Sequence, residues 1–122
     1  DGACNAAAIT AETFVFWQHV RLAGLAPGAT DTGAADYIPR NAVGGVIGVS
    51  SAANSPITNL TGSTIICSDG IAGKFAKQLD ITLDNSDTAS GSLRVSTLTT
   101  GGAAIPTINV VDDTTYLICM GV

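Results

Sequence analysis

Charge is what this chain has least of. Asp, Glu, Lys and Arg make up 12% of it, about half the usual share. The five basic residues, Arg21, Arg40, Lys74, Lys77 and Arg94, are scattered, and the net charge is −5. A nucleic-acid interface needs clustered Lys and Arg, so no nucleic acid is expected as a partner. No apolar run reaches the ~18 residues of a bilayer span, so a membrane is reached only through a helix absent from this sequence. A basic leader followed by an apolar core, the mark of a secretory signal, is also missing. No Gly-x-x-x-x-Gly-Lys-[Ser/Thr] phosphate loop occurs. Histidine occurs once, at His19, and the three cysteines, Cys4, Cys67 and Cys119, fit no zinc spacing. His19 and Glu12 could in principle work as acid and base, but no Ser or Cys nucleophile can be placed beside them. The expectation is that the protein is not an enzyme and needs no cofactor.

What is present is small. The chain is 46% apolar yet only 5% aromatic, with 14 glycines among 122 residues. Its surface must therefore be built largely from Ser, Thr, Asn, Gly and Ala, as in exported or assembled surface proteins. The length suits one domain, 1–122, with one core.

The large side chains concentrate in residues 10–25, TAETFVFWQHVRLAGL, which hold the only Trp and two of the three Phe. Thr10 can cap a helix and Glu12 suits its first turn. Phe14, Phe16 and Trp17 supply a wide apolar surface as core anchors. Gly24 suits the left-handed position past the helix end, with Leu25 folding back as its hydrophobic partner. Pro27 and Gly28 then end the helix. Three anchors of this size imply that Trp17→Ala comes close to unfolding the domain.

Residues 26–43 form a long loop of Gly, Pro, Asp and Asn, anchored by Tyr37 and Ile38. Loops this long are usually functional or interface-forming, so Tyr37, Ile38 and Arg40 are interface candidates. Strands are predicted over 44–51 and 63–69 from their β-branched residues. Asp69 can cap a second helix over 71–83, in which Ile71, Phe75, Leu79 and Leu83 form a stripe facing the core. Phe75 and Leu79 join the anchors. Residues 84–91 are a turn-rich loop, 92–98 a third strand, 107–111 a brief pairing segment and 115–122 a closing strand. The fold class is α+β: a helix packed on a small antiparallel sheet with a second helix.

At this point the residues carry a family pattern. The pieces DG-x-C-N and E-T-F-x-F-W-Q-H-V-R-L-A-G-L-x-P-G resemble the globular head of type IV pilin-like proteins, through Trp17, His19, Val20, Ala23, Gly24 and Leu25. The later run A-K-Q-L-D-I-T-L-D-N-S-D-T-A-S-G-S-L-R-V is similar to a second pilin motif through Asp80, Asp84, Gly91, Ser92, Leu93 and Arg94. The closing Y-L-I-C, ending at Cys119, matches the Cys-bearing end of many pilin heads. The hydrophobic, Glu-bearing N-terminal helix of the family is missing here, and residues 84–91 lack the commoner Asp-Asp-Gly-Pro. The resemblance implies the head domain of a type IV pilus or pseudopilus subunit, on the cell surface or in the periplasm. Its partners would be further copies in a filament, or a short helical pilin chain supplying the missing helix. The alternative it leaves open is a minor pilin or adhesin-type binding module using the loop around Tyr37.

Asp80, Asp84 and Asp87, with Asn85 and Ser86, are weak candidates for calcium, since hard cations take clustered oxygens. Their spacing departs from the EF-hand, and a turn whose Asp and Asn bond their own backbone is the competing reading. Asn59-Leu60-Thr61 fits a glycosylation sequon, a motif frequent by chance. In an exported protein an odd cysteine count gives one pair and one free thiol, or an intermolecular link; in the cytosol all three would be reduced and buried as small hydrophobes. Cys67–Cys119 would staple the closing strand into the sheet, and Cys4–Cys119 would tie the helix-leading segment to it. The sequence leaves the pairing open.

Overall fold

The computed structural model describes residues 12–97 and 102–122. Thr10 and Cys4 lie outside the described residues. Among those described, the order is α1 (Glu12–Leu22), β1 (Ile47–Ser51), β2 (Thr64–Ala72), α2 (Gly73–Leu83), β3 (Leu93–Ser96) and β4 (Thr115–Gly121). The fold is α+β. Its four strands make one antiparallel sheet in the order β1-β2-β4-β3. The segment 107–111 does not pair; a short 3-10 turn covers Thr107–Asn109.

The register decides what each face carries, because alternate residues point to opposite sides. Val95 pairs with Ile118 and Leu93 with Met120, so these share a face with Tyr116. That face packs under Ala76 of α2 and under Val110, with Ile71 and Ile105 at its margin. On the opposite face Cys67 pairs with Cys119, next to Ile65 and Leu117. Ile57 and Leu60, from the loop between β1 and β2, close this second core.

Cys67 and Cys119 form a disulfide, their Cα atoms 4.1 Å apart across neighbouring strands. It joins the two central strands at the middle of the second core.

Helix α1 ends as its sequence indicates. Gly24 has φ +73°, and the amides of Gly24 and Leu25 donate to the carbonyls of Arg21 and Val20, the hydrogen-bond pattern of a Schellman end. The hydrophobic half of the motif is not made, since Leu25 is 80% exposed. Leu25 is therefore not a core anchor. Phe14, Phe16 and Trp17 are half-buried. Phe16 and Trp17 meet edge to face at 5.1 Å, while Phe14 lies 4.8 Å from the ring of Tyr37. They are anchors in part, so Trp17→Ala forfeits less than a fully buried side chain would.

The second helix departs further from expectation. Asp69 does not cap it. Asp69 stays in β2, where its carboxylate accepts from the Val46 amide and its own amide donates to the Val46 carbonyl. The helix begins at Gly73 after an extended Ala72 that makes no side-chain cap. Its buried face is Gly73, Ala76 and Asp80, at spacing i, i+3, i+7. Phe75, Leu79 and Leu83 are turned outward, 52%, 38% and 52% exposed, so Phe75 and Leu79 are not core anchors. The cause is close approach. A Cβ on Gly73 would collide with the carbonyl of Val111, so α2 lies against the 110–111 backbone through its smallest side chains. No room is left for a Phe or Leu on that side.

Candidate functional site

Tyr37 is the residue whose role changes most. It is 1% exposed, held inside the loop rather than displayed by it. Its hydroxyl donates to the Phe14 carbonyl at 2.7 Å and accepts from the Gln18 amide at 3.1 Å. Tyr37 therefore pins the long loop to α1 and is not a contact residue of an exposed surface. Ile38 is half-buried beside it. Only Arg40 of the three interface candidates is exposed, and its guanidinium donates to the Gly44 carbonyl.

The centre of this arrangement is Arg21, which composition and spacing did not single out. It is 9% exposed. Its guanidinium donates to the carbonyls of Pro27, Ala29 and Tyr37, the last at 2.6 Å. Its charged carbon lies 5.4 Å from the ring centre of Tyr37 and 5.9 Å from that of Trp17. The side-chain amide of Gln18 adds a bond to the Thr30 carbonyl. A buried cation is costly unless paired and hydrogen-bonded. Here backbone carbonyls and two ring faces take the place of a carboxylate, and the planar fork of Arg suits that better than Lys. The signal in the sequence was the position of Arg21, on the face of α1 otherwise given to apolar residues.

The acidic candidates are split by their surroundings. Asp80 is fully buried, and neither carboxylate oxygen has a hydrogen-bond partner. Burial first, then the charges of Asp84 and Asp87, raise its pKa above the usual carboxylate value. Asp84 caps the end of α2 and accepts from the Leu93 amide at 2.9 Å. Asp87 accepts from the Ala89 amide and the Ser90 hydroxyl. The last two carboxylates are spent on the 84–93 loop, as in Asx turns. Among the described residues no group of three or more His, Cys, Asp or Glu comes together as a metal site. Glu12 and His19 sit 3.4 Å apart on the exposed side of α1.

What the structure leaves open is apolar surface. Val49, Ile66 and Met120 form a cross-strand row on the face that carries α2. Ile66 is 43% exposed, and Val49 and Met120 are half-buried. A groove of about 460 Å³ opens beside this row, between Phe16 of α1 and Val49 to Ser51 of β1. A second, of about 360 Å³, lies between residues 41–43 and the outer face of α2, with Val43, Ile71, Phe75 and Leu79 in its wall. Monomeric proteins rarely leave contiguous apolar surface uncovered, and larger patches mark contact sites. No helix among the described residues is long and apolar enough to cross a membrane. No known family model matches the chain, and no curated protein or solved structure is detectably similar to it.

Proposed function

We propose that this chain is the globular head of a filament subunit of the type IV pilin-like class, packed against copies of itself at a cell surface or in the periplasm. The observation that carries the reading is the partly exposed apolar surface: the Val49–Ile66–Met120 row and the outer stripe of α2. The ordered motif resemblance over both halves of the chain supports the choice of family. The cross-strand disulfide supports an oxidising compartment. The abundance of short side chains suits close packing of subunits, because little rotamer freedom is lost in each contact. The role is structural, without catalysis or a resident cofactor. The adhesin-type reading loses the contact residue that motivated it, since Tyr37 is internal.

The coding sequence immediately upstream of Asp1 tests the proposal. A short basic leader followed in frame by ~20 apolar residues with a Glu near their start is expected. A secretory signal beside a gene for a short helical pilin fits the two-chain form of the same proposal. A start codon with neither element would remove the export argument and the family assignment with it.

A further inference from the structure

Asn59-Leu60-Thr61, in the loop between β1 and β2, has no part in the surfaces described above. It is the only Asn-x-Ser/Thr of the chain, and its middle residue is not Pro. Asn59 and Thr61 are exposed. Leu60 between them is 6% exposed and belongs to the second core with Ile57. The tripeptide is thus pinned by its centre, with both ends at the surface. Among the described residues, neither the Asn59 carboxamide nor the Thr61 hydroxyl has a hydrogen-bond partner. The carboxamides of Asn41, Asn54 and Asn85, by contrast, are each spent on a neighbouring oxygen. Asn59 has φ +60°, a conformation that Asn adopts more readily than most residues with a Cβ. That turn accounts for an Asn at 59. It makes no demand for a hydroxyl at 61.

From this arrangement we infer that Asn59 is a glycosylation site, taking an N-linked glycan from a lipid-linked oligosaccharide. The carboxamide nitrogen of Asn59 attacks C1 of the first sugar. The C1–N bond forms as the C1–O bond to the lipid pyrophosphate breaks. The pyrophosphate leaves with that electron pair, and the carboxamide nitrogen gives up one proton. Thr61 supplies the hydroxyl by which the acceptor tripeptide is recognised. The finished glycan is bulky and needs a surface position, which the exposed turn provides without disturbing Leu60 in the core. Its place on the fold is also distinctive. Ile57 and Leu60 close the core on the Cys67–Cys119 face of the sheet, so the glycan stands on that side. The Val49–Ile66–Met120 row lies on the other face and stays free for packing. The inference goes beyond the proposed function. It shares with that reading only the export that the disulfide supports.

The test is tandem mass spectrometry of the protein isolated from cells that produce it from its own gene. After reduction, trypsin cuts at Arg40 and Lys74 and releases residues 41–74. This peptide is expected to exceed its sequence mass by whole sugar units, and its fragments to place them on Asn59. Thr61→Ala is expected to abolish the addition, and Thr61→Ser to keep it. Thr61 is exposed, so both variants are expected to fold, which circular dichroism checks. Asn59→Gln abolishes the addition as well, but places Gln at a positive φ, so the Thr61 pair is the cleaner comparison. A peptide 41–74 at its bare sequence mass, in protein whose Cys67–Cys119 bond is formed, overturns the inference and leaves the filament reading standing. So does an addition that survives Thr61→Ala. A glycan found on Asn59 in protein that forms no filament supports the inference and removes the proposed function.

Discussion

Replacing Arg21 by Ala tests how the long loop is held. The guanidinium makes three hydrogen bonds to carbonyls and lies over two rings. A bond from a charged donor is worth ~1.5–3 kcal/mol net. The Pro27 and Ala29 carbonyls belong to an outer loop and regain water when Arg21 is removed, so they count for little. The Tyr37 carbonyl belongs to a residue that is 1% exposed, and its bond counts in full. The ring contacts add ~0.5–2 kcal/mol. The expected loss is therefore about 3 kcal/mol, a large part of the ~5–15 kcal/mol that holds a domain of this kind together. Arg21→Lys keeps the charge but not the planar fork and loses about half as much. Urea unfolding followed by far-ultraviolet circular dichroism gives the global loss. Trp17 is the only Trp and lies within ring-contact distance of Arg21, so its fluorescence reports the local one. A loss under ~0.5 kcal/mol in Arg21→Ala, in the range of ordinary surface substitutions, would refute the reasoning.

Three further outcomes follow from buried features. Asp80 has a folded pKa raised above the unfolded value of 3.8, so its contribution is present below that value and lost as pH rises through the folded pKa. Asp80→Asn is then expected to gain about 1 kcal/mol or more in urea unfolding at pH 7 and little at pH 3; equal effects at both would contradict the assignment. Breaking Cys67–Cys119, which spans a separation of 52 residues, with paired Ser substitutions should cost about 4 kcal/mol by the loop-closure estimate. The unfolding midpoint in reducing and non-reducing urea checks it. Gly73→Ala sets ~1 kcal/mol of helix propensity against collision with the Val111 carbonyl. Collision with backbone prevails, and a lowered thermal midpoint is expected, where propensity alone would raise it.

The elements themselves were legible, and for a physical reason. Val, Ile and Thr mark β1, β2 and β4, and Gly24 at the end of α1 is a local device that sequence reports directly, though the fold-back of Leu25 expected with it is not made. The face of α2 was not legible. Large apolar residues at helical spacing ordinarily mark the buried side, and Phe75, Leu79 and Leu83 obey that spacing. Gly73 and Ala76 win because the backbone of residues 110–111 comes too close for anything larger, a constraint set by chain far away in sequence. Tyr37 was read correctly as an anchor of its loop, but its direction was not. A loop of Gly, Pro and Asp suggests display, and only the three-dimensional position of Arg21 shows what turns the ring inward. Asp80 belongs to the same class of error. Its fellow candidates Asp84 and Asp87 lie in a hydrophilic turn, yet its place on the helix, four and seven residues beyond the other buried positions on α2, sets it in the core.

Immunogold electron microscopy with an antibody to the turn at the exposed residues 85–87 tests the central claim most directly, on cells producing this protein from its own gene. Label along the length of surface filaments, absent from cells lacking the gene, is the predicted result. Abundant protein in those cells with no labelled filament, on the surface or in a periplasmic preparation, would contradict it.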